Sequence, residues 1–146
     1  MAATVLAAGA IVSAAALPAA AHDGDHHHQQ RPRVEISRVQ ADSPGRDDRS
    51  HRSLNAEWVE IANATRNPVN LRGWTLRDSD GNRYRFDNVR IAGCNTIRTH
   101  SGNGRDTRTD LFQDRRAYVW DNRSDTATLR DNRGRTVGTE TCGRRR

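Results

Sequence analysis

Past Arg33 the apolar residues of this chain come in short runs broken by Gly, Asn and Asp, and none recurs with a helical period over a helical length. Val34-Glu35-Ile36 alternates, and so does Glu57-Trp58-Val59-Glu60-Ile61, with Val59 and Ile61 on one face. Val69 and Leu71 share a face. Trp74-Thr75-Leu76, Arg83-Tyr84-Arg85-Phe86, Thr96-Ile97, Tyr118-Val119-Trp120, Ala127-Thr128-Leu129 and Thr136-Val137 continue the series. Period-2 alternation between turn residues is the pattern of strands half buried on a core. The chain is therefore expected to be all-β, with Val59, Ile61, Leu71, Trp74, Leu76, Tyr84, Phe86 and Leu129 inward.

An internal echo sharpens this. Thr75-Leu76-Arg77-Asp78-Ser79-Asp80-Gly81 returns as Thr128-Leu129-Arg130-Asp131-Asn132-Arg133-Gly134. Each copy reads as a hairpin in which Leu enters the core, the Asp side chain opens the turn and Gly takes the positive-φ position. Two stretches, Ala41 to Asn55 and His100 to Arg116, are long for loops of a compact β domain. His51, His100 and Asp106 fall in them and read as polar loop residues, whose replacement should change stability by less than about 0.5 kcal/mol.

Met1 to Ala21 carries no charge, and Ala19-Ala20-Ala21 fits the small-x-small cleavage rule, although a basic n-region is missing. The expected organisation is a signal peptide over 1–21, a His-rich disordered tether over 22–32, one domain over 33–142 and a basic tail over 143–146. That places the protein outside the cell or on its surface. In an oxidising compartment the only two thiols, Cys94 and Cys142, are expected to form a disulfide. A loop of that length would give it about 4 kcal/mol in the chain-entropy model.

From Glu57 to Phe86 the text EWVEIANATRNPVNLRGWTLRDSDGNRYRF resembles the lamin tail domain, as do Gly93, Ser101-Gly102-Asn103-Gly104 and the run Val119 to Leu129. The likeness spans about Val34 to Cys142. Secreted bacterial proteins with a leader, a short tether and one such domain look similar. Cys94 and Asn95 stand where the family usually has an apolar residue, and Ser124 replaces a Gly. The resemblance implies an immunoglobulin-like β-sandwich of roughly seven to nine strands, and binding or scaffolding rather than catalysis.

The residues themselves offer few chemical sites. His22, with its α-amine, and His26, His27 and His28 could chelate Cu²⁺, Ni²⁺ or Zn²⁺. On a tether nothing fixes their geometry, so the set is adventitious and no metal or other cofactor is implied. Asp78-Ser79-Asp80-Gly81 opens like a calcium loop, but Val89 occupies the twelfth position, where a bidentate Glu is needed. No nucleophile–base motif is present, and the protein is not expected to be an enzyme.

All 24 basic residues are Arg, and the formal net charge is +6. Most of the surplus lies at the end of the chain, which makes Arg133, Arg135, Arg144, Arg145 and Arg146 the candidate polyanion site. Trp58, on the face opposite Val59 and Ile61, is either a surface contact or cover for the rim of the core. The leading expectation is a secreted, non-catalytic binding module whose partner is an unidentified protein or cell-envelope ligand. The alternatives are a binder of DNA or an anionic wall polymer, and an accessory to an extracellular hydrolase. No membrane span is expected in the mature chain, and the residues leave the oligomeric state open.

Overall fold

The computed structural model describes residues 33–143. In chain order these form β1 (Val34–Gln40), α1 (His51–Asn55), β2 (Trp58–Asn63), β3 (Val69–Asn70), β4 (Thr75–Arg77) and β5 (Arg83–Arg85). There follow β6 (Arg90–Ile91), β7 (Thr96–His100), β8 (Asp110–Phe112), β9 (Asp125–Arg130) and β10 (Thr136–Cys142). Two four-stranded sheets, ordered β1-β2-β7-β8 and β10-β9-β4-β5, enclose one core, and β3 and β6 form a two-residue ladder beside them. The architecture is an immunoglobulin-like β-sandwich.

The two echoed segments meet at the centre of the second sheet. β4 pairs antiparallel with β9 so that Leu76 faces Leu129, Thr75 faces Arg130 and Arg77 faces Thr128. Both leucines are buried, at 1% and 0% exposure. Both hairpins close as the sequence implies. Asp78 accepts from the Asn82 N–H (2.7 Å), and Asp131 accepts from the N–H groups of Arg133 and Arg135 (2.9 Å each). Gly81 and Gly134 sit at φ +94° and +79°, where a β-branched side chain would be strained.

The core takes Val59, Ile61, Leu71, Leu76, Phe86 and Leu129 as expected, and adds Val34, Ile97, Leu111, Val119 and Trp120. Trp74 and Tyr84 are only partly buried and pack against its edge, so Trp74→Ala should cost less than removal of a fully enclosed aromatic. Three local expectations change. Tyr118 to Trp120 is not a strand. The Ala41–Asn55 stretch contains α1, capped by the Ser50 hydroxyl accepting from the Ser53 N–H (3.2 Å) and anchored by buried Leu54. The His100–Arg116 stretch contains β8, which joins β7 in parallel.

The expected Cys94–Cys142 bridge is not formed, and both residues are free thiols. Cys94 lies in a turn at φ +57°, its N–H donating to the Thr65 carbonyl (2.8 Å), at the sheet end where Val34 pairs with Asn63. Cys142 lies beside Val39, Gln40 and Ala41, at the other end of β1. Seven residues of strand separate those ends by roughly 20 Å, whereas a bridge needs Cα atoms within about 7 Å. An even cysteine count carries no such geometry.

Burial pushes the Cys142 thiol up to about 11, with Asp125 adding repulsion. Cys94 is exposed. In native protein a thiol reagent at pH 8 should therefore consume one thiol quickly and the second only on unfolding. Two thiols that stay unreactive even in denaturant would instead show a disulfide.

Candidate binding surface

Alternation places two kinds of side chain on the outer face of β1-β2-β7-β8. Strand register aligns Gln40, Trp58, His100 and Phe112 in one row across the sheet. The neighbouring row is Arg38, Glu60, Arg98 and Asp110. Aromatic and charged rows thus run side by side over four strands.

Their contacts hold these side chains in place. The Arg98 guanidinium lies 4.2 Å from the centroid of Trp58 and that of Arg38 lies 5.7 Å away. Arg98 Nε also pairs with Glu60 Oε2 (3.0 Å), and Ser37 Oγ donates to Glu60 Oε1 (3.0 Å). His100 stacks on Phe112 at 5.0 Å between centroids. Its Nε2 is 3.0 Å from Asp110 Oδ1 and its Nδ1 is 2.7 Å from the Asn55 carbonyl. The Thr109 hydroxyl, then His100, hold the Asp110 carboxyl below the usual carboxylate range. His100 is therefore a strand residue with three partners, not a neutral loop position. Asp106 is also structural, because its Oδ1 accepts from the Phe112 N–H (2.9 Å). His51 is exposed at the start of α1.

Behind this face sits a residue that the sequence reading passed over. Glu57 is two residues before Val59 and shares its inward direction, and it is 0% exposed. Glu57 Oε2 accepts from the Val119 N–H (3.1 Å), and Oε1 accepts from the Trp120 N–H. The Glu57 carbonyl accepts from the Ser101 N–H (3.1 Å). One carboxylate thus straps the 118–120 segment to β2. Burial pushes the Glu57 carboxyl up to about 7, against the pull of the two N–H donors. An acidic residue in phase with Val59 and Ile61 was the available signal.

The other predicted residues scatter. Arg135 is bound to Asp131, with Nη2 2.7 Å and Nε 2.8 Å from Oδ2, while Arg133 is exposed on the same turn. Arg144, Arg145 and Arg146 lie outside the described residues, as do the leader, the tether and His22, His26, His27 and His28. Cys94 and Cys142 are apart, as described above. A groove of about 870 Å³ opens between Tyr84, Val89 and Ile91 on one side and Ile97 and Leu111 on the other. Its rim carries Arg90 and Arg108 but also Asp87 and Asp106, so it has no preference for either sign of charge.

A family model described as Lamin Tail Domain matches residues 27–143. No curated protein matches the chain.

Glu57 gives a pH prediction with a definite sign. Its carboxyl stands at about 7 in the fold against an ordinary 4.5, so the native state holds more protons between those values. Its contribution to stability is fully present below about pH 4.5 and is lost as pH rises through about 7. The size is on the order of 3 kcal/mol. Urea midpoints at pH 5 and pH 8 should show this component in the wild type and not in Glu57→Gln. Parallel pH profiles for the two proteins would count against it.

Proposed function

This chain belongs to the lamin tail domain family, and on that premise we propose that it acts as a non-catalytic interaction module, secreted or held at the cell surface, that meets a protein partner on the outer face of β1-β2-β7-β8. One observation carries this: the in-register row Trp58, His100 and Phe112, flanked by Arg38 and Arg98. Trp and Arg are the residues that dominate the energy of protein interfaces. Here the guanidinium–indole contacts and the Glu60 and Asp110 hydrogen bonds already restrict the rotamers, so less entropy is lost on docking. A sandwich of this kind supports many functions, which reside in the sites grafted onto it. The uncharged leader over 1–21 supports the extracellular setting.

The test is affinity capture from the envelope of the producing cells, followed by titration of the captured protein. Trp58→Ala should weaken binding by about thirty-fold, the ~2 kcal/mol typical of a truncated anchor. The melting temperature should stay nearly constant, since Trp58 lies on the outside of the sheet. Undiminished affinity in Trp58→Ala would place the contact elsewhere.

A further inference from the structure

The outer face of the second sheet has a different character. Across its strands the outward positions form one row of Thr136, Arg130, Thr75 and Arg85. The next row is Thr139, Thr128, Arg77 and Arg83, and Thr141 beside Thr126 begins a third. Every outward position in these rows is Thr or Arg, and none is acidic. The duplicated Thr-Leu-Arg segment creates the centre of this face. Pairing the copies antiparallel sends both leucines inward and Thr75, Arg77, Thr128 and Arg130 outward.

Among the described residues none of the four arginines of this face forms an ion pair, and Arg77 Nε is buried without a hydrogen-bond acceptor. Arg77 and Arg83 stand directly opposite each other, an arrangement of like charges that weakens a sheet. Just beyond the edge Arg115 adds a further cation, its Nη2 donating to the Arg83 carbonyl (3.0 Å). The first sheet handles its charges differently, alternating Arg38, Glu60, Arg98 and Asp110 in one row. A cluster left without internal counter-charge is suited to taking that charge from a ligand.

We propose that this Arg–Thr face binds a single flexible phosphodiester chain through its backbone. Guanidinium forks match phosphate oxygens in a bidentate manner, and threonine hydroxyls supply further donors. Strands lie about 4.8 Å apart and outward residues of one strand about 6.8 Å apart, so the four guanidiniums cover a flat patch roughly 10 Å across. One chain can lie along such a patch, whereas a rigid duplex would touch it only along a line. The face carries no aromatic ring on which a base could stack, so recognition falls on phosphates and not on bases. The site lies on the second sheet, apart from the Trp58 face on the first.

The probe is an abasic deoxyribose-phosphate oligomer of about ten units, compared with oligothymidylate, duplex DNA and heparin of matched charge. The abasic oligomer should bind the full chain as well as oligothymidylate does, and more tightly than the duplex or heparin. Its log–log salt slope should be about −3, reflecting four phosphate contacts on a single strand. Arg83→Gln/Arg85→Gln should halve that slope and weaken binding about ten-fold or more. Thr128→Glu, which keeps every arginine, should weaken it too, while Arg133→Gln and removal of Arg144 to Arg146 should not. Melting curves of the variants establish that they fold. Several results would overturn the proposal: no binding of the abasic oligomer, a requirement for bases, preference for heparin or duplex, or binding lost only with the C-terminal arginines. None of them would touch the Trp58 reading.

Discussion

The contact on which the sandwich is organised is the antiparallel pairing of β4 with β9, where Leu76 meets Leu129 at the centre of the second sheet. Both side chains are sealed from water, and full burial of a leucine contributes about 1.5–3 kcal/mol. A slip of one residue would turn both outward and bring arginines into the core, so the register is strongly specified. β5 and β10 then follow from the hairpins at Asp78 and Asp131. One local solution, used twice, therefore builds the whole sheet and its outer surface.

The first sheet is tied to its surroundings by a polar strap instead. Glu57 holds the N–H groups of Val119 and Trp120 in a site with no water contact, where an unmet donor would cost about 1–3 kcal/mol. This brings Trp120 into the core without giving its segment a strand partner. It also stabilises a small domain in which no disulfide joins the two ends. The cost is a buried carboxyl whose protonation falls near neutrality, which gives the fold a pH-dependent component at one named residue.

The two outer faces divide the chemistry of the molecule. One carries an aromatic row in which His100 pairs with Asp110, beside a charged row in which Arg98 pairs with Glu60. The other carries four arginines that form no ion pair among the described residues. The two proposed contacts lie on different sheets, so one could be lost without the other. The groove between Tyr84 and Leu111 has a rim of mixed charge and an apolar floor, and neither face depends on it.

The all-β class, the two hairpins, their aspartate and glycine turns and most of the inward residues were legible in the sequence. Each depends on contacts within a few residues, which period and turn chemistry report directly. The lamin-tail likeness was legible too, because it lies in a long ordered set of motifs. The repeated Thr-Leu-Arg was visible, but not that its copies would pair with each other and, with β5 alongside, set four arginines on one surface. Trp58 was placed on the outward face by alternation, yet its alignment with His100 and Phe112 required β8, a strand hidden in what read as a loop. The disulfide was inferred from composition and fails because its cysteines lie at opposite ends of β1. Local alternation determines which way a side chain points. Only the pairing of strands distant in sequence decides what it points beside, since that depends on contacts between segments that no local pattern records.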